Sequence, residues 1–309
     1  MKLLFLKIFF IFLLFQSAIA LQMPSEKHFV GFDSLPEPYA TRSAVNSHYF
    51  LDKGLCELKV PKNFKINIFA ENLQNPRNIK VAENNDVFVV ESSSGKIKIL
   101  RDLNNDGKSD IEKVFSHGFN KPFGIDIYND FIYIADTDFV WKIPYVLGDS
   151  LQRSEAIKVT EPKALGDSLG HWTRNIAIQE NKMYIAIGSR GNIEFEKYPR
   201  ATIQKIDLIT KEQINFATGI RNAVGLDFHP ITKKLFTVSN ERDGMGDDLV
   251  PDYFSKVEQD DFFGYPFFYL GDNVQPDIKI PENYKNVSVK KPNILFKSHS
   301  WSFNNGNIW

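Results

Sequence analysis

His171 stands in the run Gly170-His171-Trp172-Thr173-Arg174-Asn175, and its imidazole is the side-chain type that titrates near neutral pH. On its own, before a strand, such a histidine is as readily structural as catalytic. Arg221-Asn222 could place a cation and an amide in a cleft, or simply pin a turn. Residues 241–252 read Glu-Arg-Asp-Gly-Met-Gly-Asp-Asp-Leu-Val-Pro-Asp, dense enough in acid and glycine to be either a solvated turn or a site for a cation. A second acidic stretch, Asp102 to Asp110, has the first half of a calcium loop: oxygens at positions 1, 3 and 5, and glycine at 6. Lys113 falls where the bidentate glutamate belongs, so an inter-strand turn is the expectation, with a bound ion as the alternative.

Other chemistries find little support. His28, His48, His117 and His229 have no zinc spacing, and the chain has neither a nucleophile elbow nor a phosphate-binding glycine loop. Cys56 is the single cysteine, which excludes an internal disulfide and leaves it as a small buried apolar residue. With 37 basic and 38 acidic residues, the net charge is −1. No basic stripe offers a surface to nucleic acid or to anionic lipid.

The elements that must position these residues are short and β-rich. Asp86–Glu91, Phe131–Ala135, Lys182–Gly188 and Lys234–Ser239 are compact β runs, and Lys65–Phe69 alternates like a strand. Four alternating segments share a local order: Pro76–Val81, Pro122–Ile127, Thr173–Ile178 and Ile220–Leu226. Taking Ile79, Ile125, Ile176 and Val224 as equivalents, the steps are 46, 51 and 48 residues. Each step holds four strands and their turns, which is one propeller blade. A β-sandwich with accidental spacing is the competing architecture. The step predicts about five blades before the chain stops at Asn304–Trp309 without a cap. A propeller closes its last blade on its first, so an incomplete member of a longer design is expected.

The amino terminus is expected to be a cleaved signal. Lys2 precedes an apolar run from Leu3 to Phe15, and Ser17-Ala18-Ile19-Ala20 ends in a small-x-small pattern. The run is short for a membrane span. The expected organisation is a signal peptide over 1–20, an extended leader over 21–60 and an all-β propeller over 61–309, incomplete at its C-terminal end. Location would be periplasmic or secreted, with no stable membrane insertion after cleavage.

In order, Gly170–Asn175, Gly188-Ser189-Arg190-Gly191-Asn192, Gly219–Leu226, Ser239–Asp252 and Phe263-Gly264-Tyr265-Pro266 resemble the motif set of the soluble quinoprotein glucose and sorbosone dehydrogenases. The order and spacing are most similar to the sorbosone dehydrogenase-like branch. The resemblance implies a six-bladed β-propeller that holds pyrroloquinoline quinone on its axis and oxidises a sugar by hydride transfer from the anomeric carbon. By the same resemblance, His171 is the general base, and Arg221 and Asn222 contact the quinone oxygens. Arg190 and Asn192 line the same mouth as cofactor contacts. The main chain at Glu241 and Arg242 binds calcium, and Asp247 and Asp248 orient that loop or help hold the ion. His299 resembles a position facing the central cavity. The implied partners are a small sugar and a periplasmic or membrane electron acceptor. The alternatives are a non-catalytic propeller remnant and a calcium-dependent lactonase-type propeller.

Overall fold

The computed structural model describes residues 30–43, 60 and 63–296. The signal segment, Cys56, His28, His48, His299, most of the leader and the last residues lie outside these. The chain divides into two compact units. One comprises Met1–Lys27 and Leu51–Ile66, of which residues 60 and 63–66 are described, without regular structure. The other, His28–Phe50 with Asn67–Trp309, holds every strand considered below.

Four four-stranded antiparallel meanders build that unit, each ordered as its strands follow in the chain, with two later additions. Blade one is β1(Pro76–Val81), β2(Val87–Glu91), β3(Lys96–Arg101) and β4(Ile111–His117). Blade two is β5(Gly124–Tyr128), β6(Phe131–Ala135), β7(Val140–Pro144) and β8(Ile157–Lys158). Blade three is β9(Arg174–Gln179), β10(Lys182–Ile187), β11(Thr202–Asp207) and β12(Gln213–Thr218), extended by β16(Asp261–Phe262), which pairs parallel to β12. Blade four is β13(Asn222–Phe228), β14(Leu235–Asn240) and β15(Tyr253–Val257), completed from far along the chain by β19(Ile294–Leu295). The hairpin of β17(Phe268–Tyr269) and β18(Asn273–Val274) lies in the intervening stretch.

The first strands β1, β5, β9 and β13 pack side by side, as innermost strands of a propeller do. The four segments found by their shared order are these strands. Among the described residues there are four blades, against the expectation of about five. Residues 258–296 extend blade three, complete blade four and form the small hairpin, so dividing chain length by the repeat step overcounts.

The β runs of blades two and three lack a clean polar face because these sheets are buried on both sides. Ile132 and Ile134 of β6 pack toward blade one with Phe88, Ile97 and Phe115, while Tyr133 and Ala135 pack toward blade three with Ile176, Met183 and Ile185. On β10, Ile185 and Ile187 face blade two, and Ala186 faces blade four with Leu226 and Tyr253. Each alternation thus serves two cores at once. Asp126 ties three blades near the axis. Its carboxylate lies 2.7 Å from Lys80 Nζ of blade one and accepts the Ile178 N–H of blade three at 2.7 Å.

Lys65–Phe69 is not a strand among the described residues. Ile66 and Ile68 are both more than half exposed, and alternation without a partner strand supplies neither ladder bonds nor burial. The described part of the leader packs on the propeller instead. Val30, Phe32 and Leu35 lie against the core between blades three and four. The Tyr39 N–H donates to the Met245 carbonyl at 2.6 Å, and the Asp247 N–H donates to Thr41 Oγ1 at 2.8 Å.

Candidate active site

The loop 167–173 that leads into β9 carries His171, and two buried arginines hold it. Arg174 is fully buried and donates to the main-chain oxygens of His171 and Thr173, each at 3.0 Å, and of Asp167 at 2.8 Å. Arg200 donates to Asp167 O at 2.9 Å, to Leu169 O, and to Ser189 O at 2.8 Å. Loop carbonyls have no ladder partner, so these cations replace one.

Two glycines let this loop lie flat on residues 188–191. Gly170 has φ +68°, and a Cβ there would fall 1.9 Å from the Arg190 carbonyl oxygen. A Cβ at Gly188 would fall 2.6 Å from Asn222 Oδ1 and 2.7 Å from His171 Cβ. Gly188 is therefore where His171 and Asn222 converge; close approach dictates both glycines, and the backbone angle dictates Gly170 as well.

His171 Nδ1 lies 2.9 Å from the Ser189 carbonyl oxygen and 3.0 Å from Ser189 Oγ. A carbonyl only accepts, so Nδ1 carries the proton and Nε2 keeps its lone pair. Burial, with the Arg221 cation beside it, pushes the His171 pKa down to about 4. The imidazole is therefore neutral across physiological pH.

Arg221 directly precedes β13 and Asn222 begins it; both are buried. The Arg221 guanidinium donates to Asn192 Oδ1 at 2.9 Å, and more loosely to Asn192 O at 3.3 Å and Asn240 O at 3.4 Å. Asp243 lies 3.4 Å from it on an exposed turn. Asn192 clasps the same turn, accepting the Asp243 N–H at 2.9 Å and donating to Asp243 O at 2.8 Å. Asn222 Oδ1 is buried and has no hydrogen-bond partner among the described residues. A buried polar atom in that state costs free energy unless something donates to it.

The expected site residues separate into two groups. His171, Asn192, Arg221 and Asn222 come together. Glu241 joins them from behind: it is buried, burial pushes its carboxyl up to about 8, and the Arg221 cation opposes that rise while Asp252 adds to it. The Arg190 side chain is exposed and contributes through its main chain alone, its N–H donating to Glu196 Oε1 at 2.7 Å. Arg242 turns away, donating to Gln275 Oε1 at 2.9 Å and Asp277 Oδ2 at 2.6 Å. Asp247 and Asp248 are exposed on the loop held by Thr41 and do not join Glu241. Among the described residues, no group of three acidic, histidine or cysteine side chains could hold a metal ion. A cation here would rely on main-chain oxygens together with Glu241.

The Asp102–Asp110 stretch is a turn between β3 and β4. Asp102 accepts N–H groups from Asn105 at 2.7 Å and Gly107 at 2.8 Å, Asn104 accepts that of Asp106 at 2.9 Å, and Asp110 accepts that of Leu103 at 2.7 Å. Its oxygens serve the chain's own amides.

Several residues of this region escape motif reading. Arg200 sits between motifs, and nothing in its neighbours announces that it underpins His171. Arg77 lies 5.8 Å over the Trp172 ring and 5.9 Å over Phe123, placing a second cation where the leading ends of β1, β5 and β9 meet. Its repeat position, equivalent to Arg174 and Asn222, is the one signal that could have found it. Tyr265 closes the set, donating its hydroxyl to Gly191 O at 3.1 Å and accepting the Glu194 N–H at 3.1 Å.

The fold and these contacts define a β-propeller whose polar groups converge where the innermost strands begin. The TrAA12-like family matches residues 58–267, and the chain belongs to that family. Three solved structures share the fold. The holo form of the pyranose dehydrogenase PQQ domain from Coprinopsis cinerea is 19% identical, with a TM-score of 0.62 over 74% of this chain and 66% of that one. The calcium structure of Trichoderma reesei Carbohydrate-Active Enzymes Family AA12 is 16% identical, with a TM-score of 0.61 over 75% and 70%. The PQQ-bound aldose sugar dehydrogenase from Streptomyces coelicolor is 15% identical, with a TM-score of 0.53 over 75% and 71%. An uncharacterized protein of Borreliella burgdorferi is 29% identical over 227 residues, and the match spans 69% of this chain and 57% of that protein.

Proposed function

We propose that this chain forms the catalytic side of a pyrroloquinoline quinone-dependent sugar dehydrogenase of the sorbosone dehydrogenase-like type, exported to the periplasm or secreted. The observation that carries the reading is the convergence of a neutral His171, the Arg221 cation and the unpartnered Asn222 Oδ1 at one end of the innermost strands. The fold neighbours, sugar dehydrogenases with a PQQ domain or bound PQQ, support the cofactor class.

When bound, the quinone supplies a two-electron hydride acceptor. The residues present suit such a group. Arg221 presents positive charge where negative charge would develop, and its long bonds to Asn192 O, Asn240 O and Asp243 leave donor capacity to share. Asn222 supplies a buried amide whose unpartnered oxygen can accept an N–H or O–H of the bound group or sugar, and not a quinone oxygen. His171 Nε2 accepts the proton of the sugar hydroxyl as the anomeric carbon gives up hydride, so the C–O bond becomes a carbonyl and the imidazole holds the proton for release. Calcium would be held by the main-chain oxygens of Glu241 and Arg242 together with the Glu241 carboxyl. A periplasmic or membrane acceptor would reoxidise the enzyme.

Quenching of intrinsic fluorescence by added pyrroloquinoline quinone tests this reading. Arg221→Ala is expected to bind at least about tenfold more weakly than the natural chain. Equal affinity in the two proteins would overturn the placement of the cofactor.

A further inference from the structure

Blade three carries a second concavity on the far side of Arg200 and Tyr265. It is a cavity of about 260 Å³ between the ends of β11 and β12, the segment 195–202 and the stretch after β16. Phe195 and Tyr198 line it with rings that are each 62% exposed. The aromatic wall is braced ring against ring: the Phe195 and Phe267 centroids lie 4.9 Å apart, edge to face, and those of Phe267 and Tyr284 lie 4.6 Å apart, tilted.

Its polar groups are directed by neighbours. Asn215 is exposed, and its Oδ1 accepts Gln204 Nε2, which leaves the Nδ2 donor without a partner among the described residues. Glu196 Oε1 accepts the Arg190 N–H and the Tyr265 hydroxyl, and its Oε2 has no partner among the described residues. Arg200 lines the cavity while 95% buried, and its Nε has no partner among the described residues.

We propose that this cavity is a saccharide subsite, separate from the His171 mouth, that receives one pyranose ring. Exposed aromatic faces attract the weakly positive C–H groups on one face of a sugar, while a donor and an acceptor at the rim meet its hydroxyls. A flat apolar ligand would leave Asn215, Glu196 and Arg200 unmatched at a cost. A strong anion meets Glu196, and a cation meets Arg200. The volume lies below the range of about 300–1,000 Å³ typical of drug-sized ligands, which suits a single ring. Arg200 joins the subsite to the reaction centre, since the same guanidinium holds the Ser189 carbonyl that orients His171. The sugar-oxidising reading explains why such a subsite belongs here, but the ligand class follows from the lining itself.

Ligand-observed NMR of the full chain with D-glucose and cellobiose, without quinone, tests it. Saturation transfer is expected with the natural chain and with His171→Ala. Phe195→Ala and Asn215→Ala change exposed side chains, and thermal melting checks that both stay folded. Each is expected to weaken saccharide binding about tenfold or more. No transfer to either sugar, or unchanged affinity in both variants, overturns the subsite. Because quinone is left out, a failure of quinone binding elsewhere sinks the proposed function without altering this result.

Discussion

Arg200 Nη2 sits 2.8 Å from the Ser189 carbonyl oxygen, the same oxygen that accepts the His171 Nδ1 proton at 2.9 Å. One carbonyl thus fixes both the tautomer of the imidazole and the position of a buried cation, and the base is held from behind by a residue that does not meet the substrate.

Arg200 is accordingly a positioning residue whose charge and shape can be separated. Its cation contributes to holding the His171 pKa low, after burial and Arg221. In Arg200→Gln, the acid limb of the kcat/KM profile is expected to move up toward the ordinary histidine range. In Arg200→Lys, the limb should stay low because the charge remains. Both variants should lose turnover, by as much as about a hundredfold, as the loop shifts. A merely structural role would lower activity without moving the limb in either variant.

His171 also makes stability depend on pH with a definite sign. Its folded pKa of about 4 lies below the ordinary value of 6.5, so between these the unfolded chain binds the extra proton. Its contribution to stability therefore rises as pH climbs through that window and is lost as pH falls through it. Urea unfolding at a series of pH values should show this slope in the natural chain and a shallower one in His171→Asn.

The two glycines of the His171 loop should tolerate no side chain. Gly170→Ala would place Cβ 1.9 Å from Arg190 O on a residue with φ +68°, and neither backbone can yield without moving His171. A loss of roughly 1–3 kcal/mol in stability is expected, together with loss of turnover. Calorimetry of the purified variant decides; an unchanged melting point would show that the loop does not lie as described.

Blade packing predicts larger losses away from the site. Ile134 is fully buried between blades one and two, so Ile134→Ala should cost about 2–5 kcal/mol. Asp126→Ala removes the group that binds Lys80 and the Ile178 amide, and should cost roughly 1.5–3 kcal/mol. Denaturant melts would check both, each measured singly: Ile134 lies opposite Ile125 and Asp126 opposite Tyr133 in one hairpin, so the two losses are close enough to couple rather than add.

The innermost strands were legible because a propeller repeats its local order, and β1 coincides with the segment Pro76–Val81. Gly170 and Gly188 stood inside the motifs around His171, but the close backbone approach that requires them appears only in the folded chain. The unread features depend on long-range contacts. Blade four takes its fourth strand from Ile294–Leu295, about forty residues after β15, and no period announces such a return. Lys65–Phe69 has the pattern of a strand without a partner. Arg200 and Asp126 act through main-chain groups far away in sequence, and a residue type alone does not reveal which carbonyl or amide it will meet. In the acidic loop, Asp247 and Asp248 read as orienting the loop or helping to hold an ion; the loop is pinned by the leader, and both side chains are exposed.

The most direct measurement is a paired titration of the natural chain and His171→Ala with pyrroloquinoline quinone and calcium, followed by dye reduction with aldoses. The account predicts a cofactor spectral change in both proteins and turnover in the natural chain alone. Turnover unchanged in His171→Ala, or no spectral change in either protein, would contradict it.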